Sequence, residues 1–304
     1  MSTYPAPVPV LFGPTASGKT ALAVGVAQAM GPGRVEIINA DSRQIYKGLP
    51  ILTACPSAEE YAAAPHHLFE WLAPTQRFSA AAWAALAHEK IADIQARGAL
   101  PLVVGGTGFY LRALMQGLSA IPASEAATEA VVAALSPAAR HAELARVDPP
   151  MAAKLHPNDT QRTVRALTVF RQTGQPLSAW QQGQEGATPH RFVPIGLHPP
   201  RAQLHANIAR RWHEALPARG LWAEAESLAA QGFTGAEPAL KGLAIPAWLA
   251  AVRGEISRAE ATQKAIWADN QYAKRQCTWL NNSFQAEHVL ESADVHSMLR
   301  ILRA

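Results

Sequence analysis

The chain has 304 residues, 49% of them hydrophobic, with 27 Lys and Arg against 23 Asp and Glu and a formal net charge of +4. That length and apolar content suit one large domain or two ordinary ones, and the mild charge excess permits a nucleic-acid partner without demanding one. No apolar run is long enough to cross a membrane. The only cysteines, Cys55 and Cys277, are far apart and form no CxxC, which excludes a zinc or disulfide framework. Met1 to Pro9 shows no basic region followed by an apolar core, so the expected location is the cytoplasm.

Val8 to Phe12 reads as a buried strand and Thr20 to Met30 as a helix. Between them Gly13, Pro14, Thr15, Ala16, Ser17, Gly18, Lys19 and Thr20 fit G-x-x-x-x-G-K-[ST] in full, in the strand–loop–helix context that this phosphate-binding motif requires. Glycines let the backbone curl so that several N–H groups face one anion, and the helix N-terminus adds partial positive charge. Lys19 brings a full charge, and the Thr20 hydroxyl is placed to hold Mg2+. The motif implies a bound di- or triphosphate without saying which.

Val35 to Ile38 reads as a second parallel strand. It runs into Asp41, Ser42, Arg43 and Gln44, which in a doubly wound fold fall near the phosphate loop. Asp41 has two readings, a functional carboxylate or a cap for the next turn. Pro56 to Glu70 is loop-like, with a short helix over Ala58 to Ala64. The adjacent His66 and His67 read as structural or surface residues, not metal ligands. Ser79 caps a helix running to about Arg97, and Leu100 to Val104 is a third buried strand. It ends in Gly105-Gly106-Thr107-Gly108, which suits either close backbone approach to a ligand or a tight turn. Phe109 to Leu118 then reads as a helix.

From about Ile121 to Gln184 strand signals vanish and Ala-rich helical stretches replace them, the pattern of an inserted helical subdomain. Asn158 or Asp159 caps a helix carrying Gln161, Arg162, Thr163, Val164 and Arg165. Arg162 and Arg165 share a face, either a plain solvated surface or a contact to a phosphate backbone. Phe192 to Leu197 reads as a return strand, and Pro194 within it predicts an edge position. Helices follow over Arg201–Leu216, Leu221–Gln231 and Ser257–Leu280. In the last, Lys274 and Arg275 offer a nucleic-acid contact, while Tyr272, Cys277 and Trp279 read mainly as packing.

Several blocks together resemble the bacterial tRNA dimethylallyltransferases (tRNA isopentenyltransferases): GPTASGKT at 13–20, DSRQIYKG at 41–48, GGTGFY at 105–110, HPNDTQRTVRAL at 156–167 and AKRQCTW at 273–279. APHHLF at 64–69 and GEIS at 254–257 match as well. The order and spacing hold over nearly the whole chain. The resemblance implies an α/β fold, a P-loop NTPase-like parallel-sheet core (1–120 and 190–304) with an inserted helical tRNA-binding subdomain (121–189). It also implies transfer of a dimethylallyl group from its diphosphate to N6 of the adenine adjacent to the anticodon, with Mg2+. Asp41 sits where the family places the proton acceptor, Thr107 lies close to the reacting groups, and Arg211 matches an arginine that assists the diphosphate. Contacts to tRNA fall on Asp41 to Gln44, on 161–165 and on Lys274 and Arg275. The partners so implied are tRNA and dimethylallyl diphosphate, with no membrane and a monomeric chain.

Three departures from the family pattern stand out. Ile51-Leu52-Thr53-Ala54-Cys55-Pro56 lacks the glycine and lysine of the usual IGTAKP. Lys241-Gly242-Leu243-Ala244-Ile245-Pro246-Ala247 lacks the usual tyrosine and following charge. Glu129 stands where an arginine is common. Two rival readings follow: a P-loop small-molecule kinase, which the Gly105-Gly106 strand end argues against, and a catalytically weakened relative that still binds tRNA.

Overall fold

The structure, a computed structural model, describes residues 6–119, 121–182, 188–233, 235–242 and 244–303. Gln184, within the helical stretch read from sequence, and Leu243, one of the departures, lie outside the described residues. The chain divides into two compact units, one of Met1–Met115 with Thr188–Ala304, the other of Gln116–Ala187.

The first unit begins with β1 (Val8–Phe12), α1 (Lys19–Met30) and β2 (Val35–Asn39). Both strands are buried along their whole length, which is why they read as continuous apolar runs rather than alternating ones. Then come α2 (Ala58–Ala63), β3 (His66–His67), α3 (Ala80–Ala96), β4 (Leu100–Gly105) and α4 (Gly108–Gln116). The hydroxyl of Ser79 accepts from the Ala82 amide at 3.1 Å and starts α3 as the sequence predicts.

The second unit is wholly helical among its described residues: α5 (Ala126–Ala133), α6 (Pro137–Val147), α7 (Pro149–Lys154), α8 (Thr160–Thr173) and α9 (Leu177–Gln182). Of the two candidate caps for α8, Asp159 takes the role, its Oδ1 accepting from the Arg162 amide at 3.2 Å. The unit has its own core, in which Leu144, Val164, Leu167, Val169 and Leu177 pack together with Val132 and Met151.

The chain returns to the first unit with β5 (Phe192–Leu197), α10 (Arg201–Arg210), a wide π-helical turn (Arg211–Ala215), α11 (Leu216–Ala218) and α12 (Leu221–Ala230). It ends with α13 (Ile245–Val252), α14 (Arg258–Ser283), β6 (His288–Leu290) and α15 (Val295–Arg303). Ser257 and Glu260 form a reciprocal capping box that starts the 26-residue α14.

The six strands make one parallel sheet in the order β3-β2-β4-β1-β5-β6. From β1 the chain moves to one edge, returns to β4, and only then crosses to the far side of β1. In such sheets the crevice beyond the carboxyl ends, where the direction reverses, receives the ligand.

Two expectations need correction. The stretch 56–70 is not loop throughout: His66 and His67 pair with Ile37 and Ile38 as an edge strand, and His67 Nε2 lies 2.6 Å from Glu36 Oε2. Nor is β5 an edge strand, because β6 covers it from Ile195 onward. Pro194 is tolerated because it precedes that pairing. Its carbonyl accepts from the Glu287 amide at 2.9 Å, and its ring nitrogen faces the same side before β6 begins.

Candidate functional site

The loop between β1 and α1 curls through two left-handed residues, Ala16 at φ 60° and Gly18 at φ 96°. The Lys19 ammonium folds back onto the loop itself. It donates to the carbonyls of Gly13 (3.0 Å) and Pro14 (2.7 Å) and to Ser17 Oγ (3.3 Å). Burial lowers its pKa to about 8; Asp41 opposes that shift and Arg211 adds to it.

Asp41 follows β2. Its amide donates to Asn39 Oδ1 (2.8 Å), and its own Oδ1 accepts from the Arg43 amide (2.8 Å). The turn-capping reading is therefore right, and it does not exclude the other, because Asp41 and Lys19 line one cavity of about 400 Å³. Thr107 is drawn to the same place from β4. Its amide donates to Ala40 O (3.2 Å), and its hydroxyl accepts from the Ser42 amide (3.0 Å). Only glycine fits the end of β4, since a Cβ on Gly105 would lie 2.3 Å from the Ala40 carbonyl. The glycine pair thus serves a backbone approach, but to the neighbouring strand end.

The opposite wall comes from α10 and the π-helical turn after it. Arg211 Nη1 donates to Thr15 Oγ1 (2.8 Å) and stands 3.8 Å from Asp269 Oδ2. Asn207 Nδ2 donates to Ala16 O (2.9 Å). Asp269 also accepts from Trp212 Nε1 (2.8 Å), and burial raises its pKa while Arg211 and Trp212 counter that. A π turn widens the helix by one residue, a device common at functional sites.

Gln276 of α14 was not singled out by sequence, yet it joins two parts of the site. Its Oε1 accepts from the Thr15 amide (2.8 Å) and its Nε2 donates to Gly106 O (2.8 Å). Asn207, Asp269 and Gln276 carry no spacing signal of their own; only the AKRQCTW block pointed near the last of them.

Thr15, Ala16, Gly18, Lys19, Thr20, Asp41 and Arg211 line one cavity; Gly13, Pro14 and Ser17 complete the loop behind it, and Thr107 does not line it but bonds to the Ser42 amide beside Asp41. Of the neighbouring residues, Arg43 Nη1 donates to Pro238 O (3.2 Å) and Gln44 Nε2 to Thr53 O (3.2 Å) and Ala54 O (2.7 Å). Lys274 and Arg275 are exposed on α14. Residues 161–165 belong to the helical unit, where Gln161 and Arg162 are exposed and Thr163 and Val164 are buried. The Thr163 and Val164 side chains therefore face that unit's core and offer no contact surface. Arg165 is occupied internally, donating to Ser124 Oγ (2.6 Å) and Pro122 O (2.7 Å). Among the departures, Cys55 is buried and its thiol is pushed up to about 12 by burial, which makes it unreactive.

The description "IPP transferase" belongs to the family model that matches residues 44–283. The chain belongs to this family of tRNA-modifying prenyltransferases. Among its IPP transferase relatives, the tRNA dimethylallyltransferase of Rhodospirillum centenum is 44% identical over 296 residues, covering 95% of this chain and 92% of that one. That of Parvibaculum lavamentivorans is 45% identical over 282 residues, covering 91% and 88%. The full-length tRNA isopentenylpyrophosphate transferase from Bacillus halodurans superposes with a TM-score of 0.69 at 30% identity, covering 98% of this chain and 94% of that one. A eukaryotic dimethylallyltransferase captured acting on tRNA gives a TM-score of 0.73 at 25% identity, covering 90% and 69%.

Proposed function

We propose that the protein transfers a dimethylallyl group from dimethylallyl diphosphate to N6 of the adenine adjacent to the anticodon in tRNA, releasing diphosphate. The observation that carries this reading is the placement of the Asp41 carboxylate on the same cavity as Lys19 and Arg211. One group accepts a proton and the others grip an anion, which are the two demands of this substitution.

The bond from the allylic carbon to the bridging oxygen breaks, and the electron pair leaves with diphosphate. Loop amides, Lys19 and Arg211 stabilise that developing charge by fixed electrostatics. The adenine amine forms the new carbon–nitrogen bond, becomes acidic as it does so, and gives its proton to Asp41. Thr107 holds the Asp41–Ser42 turn through the Ser42 amide. The adenine reaches this cavity by leaving its stack, which a single-stranded loop allows. Gln161, Arg162, Lys274 and Arg275 are exposed cations and amides suited to the RNA backbone.

Among the described residues no group of three His, Cys, Asp or Glu gathers to hold a metal. The Thr20 hydroxyl is among the oxygen donors lining the cavity, with Thr15, Asp41, Thr53 and Glu60, and would hold a Mg2+ that binds with the diphosphate. Bound there, Mg2+ would add charge neutralisation at the leaving group. A monomer working in the cytoplasm is part of the same proposal.

The test is incubation with dimethylallyl diphosphate, Mg2+ and unmodified tRNA, read by mass spectrometry of the digested RNA. Prenylated adenosine at the anticodon-adjacent position supports the proposal. No product, with ATP instead turned over onto a small acceptor, overturns it.

A further inference from the structure

One stretch of chain, Asn207 to Glu224, touches the cavity at two places. Asn207 and Arg211 hold the phosphate loop. Thirteen residues after Arg211 in the sequence, Glu224 holds a different wall. Its Oε1 accepts from the Leu52 amide (2.6 Å), and both its oxygens accept from the Ile51 amide (2.8 and 3.1 Å). Arg219, on the other side of the Gly220 turn, donates to Cys55 O (2.9 Å) and Pro56 O (3.3 Å). A carboxylate on the amides at the front of a turn and a guanidinium on the carbonyls at its end make a two-point clamp of charge-assisted bonds.

The clamped turn is a cavity wall. Thr53, Ala54 and Cys55 line the cavity, as does Arg219. The turn is also strained, since Ala54 sits at φ 53°, a left-handed conformation that costs a residue with a Cβ. Internal bonds help to shape it, from the Thr53 amide to Leu49 O (3.0 Å) and from the Cys55 amide to Pro50 O (2.8 Å). Gln44 adds its donors to the Thr53 and Ala54 carbonyls. None of these ties the turn to the 207–224 stretch; Glu224 and Arg219 do so.

We infer that Glu224 and Arg219 are positioning residues that hold the 49–56 turn as the wall of the allylic-diphosphate pocket, so that they set affinity for that substrate without touching the chemistry. The inference rests on the transferase reading. It assigns the two residues to one substrate of the two: the turn they hold shares its cavity with Lys19 and Arg211, which grip the diphosphate, whereas the exposed cations Arg162, Lys274 and Arg275 line no part of it.

The experiment is steady-state kinetics of Glu224→Ala and Arg219→Ala with each substrate varied in turn, beside thermal melts. Losing charge-assisted bonds of this kind should raise KM for dimethylallyl diphosphate about tenfold, with kcat within about threefold and KM for tRNA unchanged. Glu224→Gln, which keeps one accepting oxygen, should recover part of the loss. Arg219→Lys, which keeps the charge and reaches one carbonyl, provides the reading if an alanine variant does not fold. An unchanged KM for dimethylallyl diphosphate in a variant that melts normally overturns the inference. So does a fall in kcat with a rise in both KM values and a lowered Tm, which marks general destabilisation. A wild-type protein that forms no prenylated adenosine in the same assay overturns the transferase reading instead.

Discussion

The backbone amide of Thr15 donates to the side-chain oxygen of Gln276 at 2.8 Å, across 261 residues of chain. Since the same side chain donates to Gly106 O, it fixes the phosphate loop against the turn that carries Thr107. Gln276→Ala should lower kcat by about tenfold, because one loop amide and one turn carbonyl lose a buried partner. Gln276→Glu should be worse. It keeps an acceptor for Thr15 but sets a carboxylate against the Gly106 carbonyl and beside the anion cradle. Single-turnover rates at saturating substrate check both variants.

Asp41→Asn isolates the proton-acceptor role. The asparagine oxygen can still receive the Arg43 amide, so the turn keeps its shape. General-base catalysis is worth about 10²–10⁴ in rate, so kcat should fall by about that factor while tRNA affinity and Tm stay near wild type. A variant retaining full turnover would remove Asp41 from the mechanism.

Lys19 should make anion binding pH-dependent. With its pKa lowered to about 8 by burial, it is charged below that pH and neutral above it. Affinity for pyrophosphate should therefore weaken as pH rises through about 8, measured by titration calorimetry at pH 7 and pH 9. Lys19→Arg stays charged and should remove the Lys19-linked weakening. For folding, the sign is opposite. The folded protein releases the Lys19 proton before the unfolded chain does, so between about 8 and the ordinary 10.5 this group's contribution to stability rises with pH.

Arg162 and Arg165 should separate by phenotype although they share a helix. Arg162 has a side chain 74% exposed, and its loss should weaken tRNA binding at all sequences and reduce the salt slope by about one. Arg165 is bonded to Ser124 and Pro122, and its loss should destabilise the helical unit by about 1–2 kcal/mol. Filter binding across a salt series and a thermal melt tell the two apart.

The phosphate loop, the strands β1, β2 and β4 and the helical stretch after Ile121 were legible because each depends on local pattern. A motif needs eight adjacent residues, a buried strand needs an apolar run, and a helix start needs a cap such as Ser79 or Asp159. What stayed illegible was set by distant partners. His66 and His67 form a strand only because the edge of β2 is there to pair with them. Pro194 pointed to an edge because nothing nearby in sequence announces that β6, nearly a hundred residues on, covers the second half of its strand. The short β6 and the helices α13 and α15 were not anticipated for the same reason. In the site, Lys19 declares itself by its motif and Asp41 by position as one of two readings, whereas Gln276, Asp269 and Glu224 look like ordinary helix surface until the fold brings their partners to them.

The π-helical turn at Arg211–Ala215 takes up one more residue than regular α geometry would, so the helix before it and the helix after it keep nearly the phase of an uninterrupted one. Asn207 and Arg211 can therefore hold Ala16 and Thr15 while Arg219 and Glu224, further along, hold the turn beyond Pro50. The slack is local to those five residues. A residue removed from the regular α10 between Asn207 and Arg211 has none to draw on, and would turn one of the two away from the phosphate loop by about 100°.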